Sequence, residues 1–144
     1  MMTFELDFRS GIPIYIQVVE HFRQMVLRGD LKPGDQLPTV RSLALELRVN
    51  FNTVARAYRL LDEAGIISTQ QGRGTYILSL PPPAMADDLR RTSLKSLANQ
   101  VLVDASRLGA SPDEIMEILR DQINHWKETG TPVNPENKKE YRGE

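Results

Sequence analysis

Asn50, Asn52, Thr53, Arg56 and Arg59 lie close together in the chain. On a helix they would occupy the side opposite Val54, Ala57, Tyr58 and Leu61. These side chains suit nucleic acid: Arg grips guanine O6 and N7 or a phosphate, Asn pairs with adenine N6 and N7, and Thr serves either. The first turn of such a helix is the part that enters a major groove. Arg41 follows Leu37-Pro38-Thr39-Val40 at the start of another helix, where backbone N–H groups and a guanidinium converge on one phosphate. An ion pair with Glu46 would account for Arg41 equally well. Arg73, flanked by Gly72 and Gly74, has the shape to reach into a narrow minor groove. Phe51 either meets a thymine methyl or packs against the preceding turn. From Arg41 to Arg59 there are four arginines (Arg41, Arg48, Arg56 and Arg59) and a single acid, Glu46. The local field is therefore positive, although the whole chain has a net charge of -1.

Enzymatic chemistry finds little to work with. The chain has no cysteine, which removes thiolate nucleophiles, Cys-ligated zinc and disulfides. His21, beside Glu20, and His125 stand apart without HExxH spacing, so each reads as a structural or surface histidine, and no metal site is expected. Gly72-Arg73-Gly74 lacks the strand-turn-helix setting of a dinucleotide fingerprint. Asp62-Glu63 and Asp87-Asp88 read as helix-surface charge. No catalytic residue and no cofactor are expected.

The elements that must hold the polar set follow from periodicity. Tyr15, Val18, Val19, Phe22 and Val26 recur at steps of three and four behind Pro13 and stop at Gly29, which predicts a first helix. Thr39 caps a short second helix with Val40, Leu43, Ala44 and Leu47 inward. After a turn near Arg48 to Asn50, either Asn50 or Asn52 caps a third helix that Gly65 closes. Two helices joined by so short a turn form a helix-turn-helix. The β-prone runs Ile66 to Gln70 and Thr75 to Leu78, separated by Gln71-Gly72-Arg73-Gly74, predict a hairpin. The order gives an α+β winged helix-turn-helix over residues 1–80.

Pro81, Pro82 and Pro83 break helices and central strands alike, and they mark a stiff joint at 81–83. Residues 84–130 carry two helical patterns and no strand signal, an all-α dimerisation and effector segment. The first pattern aligns Leu94, Leu97, Ala98, Val101, Ala105 and Leu108 in one stripe ending at Gly109. The second begins at Ser111-Pro112-Asp113-Glu114, with a capping serine and first-turn proline, and sets Ile115, Ile118, Leu119, Ile123 and Trp126 against that stripe. The stripe is too long for one shorter partner helix to cover, so the leftover apolar strip is expected to pair with a second copy. Residues 131–144, with Pro132, Pro135, Lys138, Lys139 and Glu140, are expected to form a flexible tail. Glu5, Asp7 and Arg9 interrupt any apolar leader, and no later stretch approaches a membrane span, so no membrane association and a cytoplasmic location are expected.

Taken together, Pro13-Ile14-Tyr15-Ile16-Gln17, Gly34-Asp35-Gln36-Leu37-Pro38-Thr39-Val40-Arg41, Val49-Asn50-Phe51-Asn52-Thr53-Val54 and Gly72-Arg73-Gly74-Thr75-Tyr76 resemble the GntR family of bacterial transcription regulators. The resemblance spans about residues 4–80, and the short two-helix tail is similar to the YtrA-like branch. It implies a homodimeric repressor on a palindromic double-stranded operator, often beside transporter genes. By motif position it places Arg41 on DNA from the second helix and Asn52 and Thr53 at the start of the recognition helix, with Gly72 and Gly74 shaping the wing. Many relatives carry Arg directly after the Thr-Val pair, whereas Ala55 and then Arg56 follow Val54 here. The competing reading is a winged-helix module that turns its arginine face to an acidic protein partner. A small-molecule effector is left open, and two helices offer it few walls, which would place it at a dimer interface.

Overall fold

The computed structural model describes residues 4–70 and 72–134. Val18, Val19, Phe22 and Val26 line the buried side of the first helix, α1 (Ile14–Arg28), at the expected spacing. Gly29 ends it in a left-handed conformation. A two-residue strand, β1 (Gln36–Leu37), leads into α2 (Val40–Leu47), which buries Leu43 and Ala44. Next, α3 (Phe51–Glu63) buries Val54, Ala57, Tyr58 and Leu61. The hairpin β2 (Ile67–Gln70) and β3 (Gly74–Ile77) follows. Gln71, part of the expected hairpin turn, lies outside the described residues.

The sheet is antiparallel with the order β1-β3-β2. Ile67 faces Ile77 across the hairpin, and Leu37 faces Thr75 on the other edge of β3. β1 was not expected from the sequence. Two residues are too few to show alternation, and β1 is held instead by the Gly34 N–H donating to the Ile77 carbonyl and the Ile77 N–H donating to the Asp35 carbonyl, each at 2.8 Å. Leu37, Ile67 and Ile77 seal the core that α1, α2 and α3 share.

Beyond the hairpin run α4 (Ala84–Arg107) and α5 (Pro112–Thr129). The chain divides into compact units at Asn99, inside α4, whereas the joint was expected at the proline run. The cause lies in the first turns of α4: Met85 and Leu89, four residues apart, are buried in the same core cluster as Phe22 and Leu61. Pro81 is buried as well. The Ser96 hydroxyl then donates to the Gly11 carbonyl at 2.9 Å. A proline cannot join a sheet ladder, but its ring is apolar, and here the run carries the chain back over the core.

In the second unit, Ser111 caps α5 by accepting from the Glu114 N–H at 3.2 Å. The expected packing of the α5 apolar face requires correction. Ile115 is buried, but Ile118, Leu119, Ile123 and Trp126 are exposed. The α4 stripe also differs from expectation, because Val101, Leu102 and Val103 are consecutive and so point around the helix, and all three are exposed. Leu97 and Ala105 are half-buried, while Leu94, Ala98 and Leu108 are exposed. Of the expected tail, residues 131–134 form no helix or strand, and residues 135–144 lie outside the described residues.

Candidate nucleic-acid interface

Recognition demands a rigid helix, and α3 is fixed along its whole inner side. Val54, Ala57 and Leu61 have no exposure at all. Tyr58 adds a polar tie: its hydroxyl donates to the Pro38 carbonyl at 2.6 Å, and its ring meets Phe22 edge-on with centroids 5.8 Å apart. Burial pushes the Tyr58 phenol above its ordinary range, so it stays a neutral donor. Because Pro38 precedes the Thr39 cap of α2, this bond couples the start of α2, which carries Arg41, to the middle of α3.

At the start of α2 the Thr39 hydroxyl accepts from the Ser42 N–H at 3.0 Å. Its hydroxyl is thus engaged in capping, while Arg41 is exposed and, among the described residues, forms no ion pair with Glu46 or any other acid. At the start of α3 the open choice of cap falls on Asn50, whose Oδ1 accepts from the Asn52 N–H at 2.8 Å. That leaves the Asn52 amide and the Thr53 hydroxyl, both in the first turn, without hydrogen bonds from their side chains among the described residues. Phe51 is about half exposed at the same end. Arg59 is exposed farther along α3.

Arg56 is placed differently from a free groove-reading side chain. Its guanidinium carbon lies 3.9 Å from the centroid of the Tyr15 ring on α1, a cation-π contact. The contact engages one face of the guanidinium, and Arg56 as a residue is exposed.

The hairpin turn is braced by two side chains that sequence reasoning did not single out. Tyr76 donates its hydroxyl to the Arg73 carbonyl at 2.6 Å, and Gln36 Nε2 donates to the same oxygen at 3.5 Å. Gly74 has φ 107°, a conformation that favours glycine, and a Cβ there would push the end of the Gln36 side chain, 2.6 Å away at Nε2, out of its place. The Arg73 backbone is tethered and its side chain is exposed.

A further residue emerges at the turn between α2 and α3. Arg48 has φ 56° and ψ 45°, the one non-glycine residue in the left-handed region among those described. That conformation costs an L-residue about 1–2 kcal/mol. The side chain is exposed, forms no ion pair among the described residues and lies two residues before the Asn50 cap. An Arg where such turns commonly hold Gly was the available signal.

The two histidines lie elsewhere. His21 stacks on Phe4 with ring centroids 4.0 Å apart, and burial, followed by the charge of Arg28, holds its pKa below the ordinary value against the opposite pull of Glu5. His125 is exposed on α5.

Residues 14–77 match the family model of bacterial regulatory proteins, gntR family. The chain is 37% identical over 117 residues to the HTH-type transcriptional repressor YtrA of Bacillus subtilis, a match spanning 81% of this chain and 89% of that protein. Among solved structures it is similar to YtrA from Sulfolobus acidocaldarius, described as a GntR-family transcription factor, at 35% identity and a TM-score of 0.52, covering 67% of this chain and 99% of that one. It is also similar to a transcriptional antiterminator from Listeria monocytogenes at 31% identity and a TM-score of 0.55, covering 83% and 89% of the two chains.

Proposed function

The chain belongs to the GntR family of bacterial transcription regulators, DNA-binding proteins of the winged helix-turn-helix class, and we propose that it acts as a homodimeric repressor that reads inverted half-sites of a palindromic operator controlling a small operon. The observation that carries this reading is the first turn of α3. A helix with a fully buried inner side presents Asn52 and Thr53 with unengaged polar groups, because Asn50 has taken over the capping. Arg41 and Arg73, exposed at the start of α2 and at the hairpin turn, suit phosphate and minor-groove contacts on either side of that readout. Arg59 supports the same face. Arg56, exposed on α3 with its guanidinium over the Tyr15 ring, supports it too.

Dimerisation is supported by the surface of the second unit. Val101, Leu102, Leu108, Ile118, Ile123 and Trp126 are all exposed in the single chain. Exposed apolar side chains on this scale suit an association surface, and a two-fold contact would pair two winged domains with two half-sites. The reading places the protein in the cytoplasm, where its DNA is; among the described residues no helix is long and apolar enough to cross a membrane. It assigns neither catalysis nor a cofactor.

The deciding experiment selects genomic fragments bound by the full chain and titrates the recovered duplex with salt. The expected result is an inverted repeat, specific binding that weakens steeply with salt, and relaxed sequence preference in Asn52→Ala, at a loss of about 1–3 kcal/mol. Equal affinity for every sequence at physiological salt would refute operator reading. Capture of an acidic protein with no duplex bound would instead favour the interaction-module reading.

A further inference from the structure

A groove of about 390 Å³ lies in the first unit beside the recognition helix. Its floor is apolar, built from Ile16 of α1, Leu60 and Ala64 of α3, and Met85 and Leu89 of α4. At its edge stand the carboxylates of Glu63 and Asp88, with the Tyr15 ring and Thr92 beside them and no basic residue among its walls. Neither carboxylate has an ion pair or a hydrogen bond among the described residues. The size falls in the range of small-molecule sites, and a mostly apolar floor with a few polar groups is their usual chemistry. Met85 adds an unbranched side chain able to repack around a guest.

Charge selects the class of guest. Two exposed carboxylates at its edge favour a cation over an anion, the nearest arginines, Arg56 and Arg59, standing outside its walls in the adjoining recess, while an apolar floor offers a bare metal ion too few oxygens. A compact organic cation fits both features, with its hydrocarbon body on the floor and its ammonium between Glu63 and Asp88. The groove also reaches the DNA-reading elements directly. Leu60 and Glu63 belong to α3, and Tyr15, which borders the groove, carries the Arg56 guanidinium 3.9 Å from its ring centroid. Arg56 and Arg59 line an adjoining recess that shares Tyr15, Leu60 and Glu63 with the groove.

We propose that this groove is an effector site for a small amphiphilic organic cation, an amine or quaternary ammonium compound, whose occupancy alters how α3 presents Arg56. The second half of the proposal rests on the DNA-binding reading, and the first half does not. The ligand displaces nothing covalent: it fills the floor, draws Glu63 toward its charge, and crowds the ring on which Arg56 rests.

The test uses the isotope-labelled full chain and benzyltrimethylammonium as probe, with benzoate and benzyl alcohol as controls of similar bulk, followed by nuclear magnetic resonance. Saturable shifts at Leu60, Met85 and Leu89 are expected with the cation. Benzoate should bind about tenfold or more weakly, as should the cation to a Glu63→Gln, Asp88→Asn double variant whose remaining spectrum is unchanged. Equal binding of all three probes, shifts elsewhere in the chain, or no shifts would overturn the site. So would Met85 signals that follow protein concentration instead of probe, since a second copy would then cover the groove. In a second arm, saturating probe should change affinity for the selected duplex at least about threefold in the parent chain and not in the double variant. Probe binding with unchanged duplex affinity overturns the coupling. Failure to bind any duplex, with the cation still bound, overturns the DNA-binding reading and leaves the site standing.

Discussion

Deleting everything after Leu80 cuts the chain at the apparent joint, yet the structure predicts that this fragment loses part of its core. Met85 and Leu89 are 8% and 7% exposed and pack in the cluster that contains Phe22 and Leu61. Burying two such side chains is worth about 3–6 kcal/mol in gross terms, and the bond from Ser96 to the Gly11 carbonyl adds about 1 kcal/mol. Ordering the first turns of α4 offsets part of this, so a net loss of about 2–3 kcal/mol is reasonable. In a winged domain of this size, that lowers the melting temperature by roughly 10–20 °C. A fragment ending at Asn99, which retains α4 as far as the division between units, should melt close to the full chain at low concentration. Far-UV circular dichroism of the two fragments decides the matter. Melting temperatures within about 3 °C of each other would refute the reasoning, because the first turns of α4 would then contribute nothing to the core.

Three further predictions follow from single side chains. Arg48→Gly relieves about 1–2 kcal/mol of left-handed strain against about 0.5–1 kcal/mol of added unfolded-state entropy, so denaturant unfolding should show unchanged or slightly higher stability. Glu46→Gly, inside α2, should lose about 1 kcal/mol in the same assay, and equal losses at both positions would reject the strain assignment. Tyr58→Phe keeps the ring contact with Phe22 but removes the donor to Pro38, at a cost of about 1 kcal/mol, and a neutral result would show that water replaces the hydroxyl. His21 titrates below its ordinary value in the fold, from burial first and Arg28 second. Below about pH 6.5 the unfolded chain therefore takes up a proton that the native state resists, and stability falls as pH drops toward the folded pKa. His21→Phe, which preserves an aromatic face for Phe4, should flatten that part of a denaturation series between about pH 5 and about pH 7.5, and an unchanged slope would assign the effect to other groups.

What could be read from the sequence is what local pattern determines. α1, α2, α3 and α5 carry periodic apolar residues with capping or terminating residues at their ends, and the hairpin carries β-prone runs around two glycines, so these appear where spacing placed them, whereas the apolar residues of α4 keep to no single face. The polar set of α3 was legible for the same reason, since a helix with Val54, Ala57, Tyr58 and Leu61 inward must turn Asn52 and Arg59 outward. Three things were hidden because they depend on contacts between distant segments. β1 exists only through bonds to β3, the Arg73 carbonyl is held by Tyr76 and Gln36, and Arg56 rests on a ring from α1.

The proline run shows most clearly why composition misplaces a boundary. Three consecutive prolines look like a linker because they lack donors, but a domain boundary is set by where apolar burial stops. Here burial continues through Pro81, Met85 and Leu89, and the chain leaves the first unit only partway along α4. The boundary between units therefore falls within α4, whose first turns Met85 and Leu89 bury in the core of the winged domain.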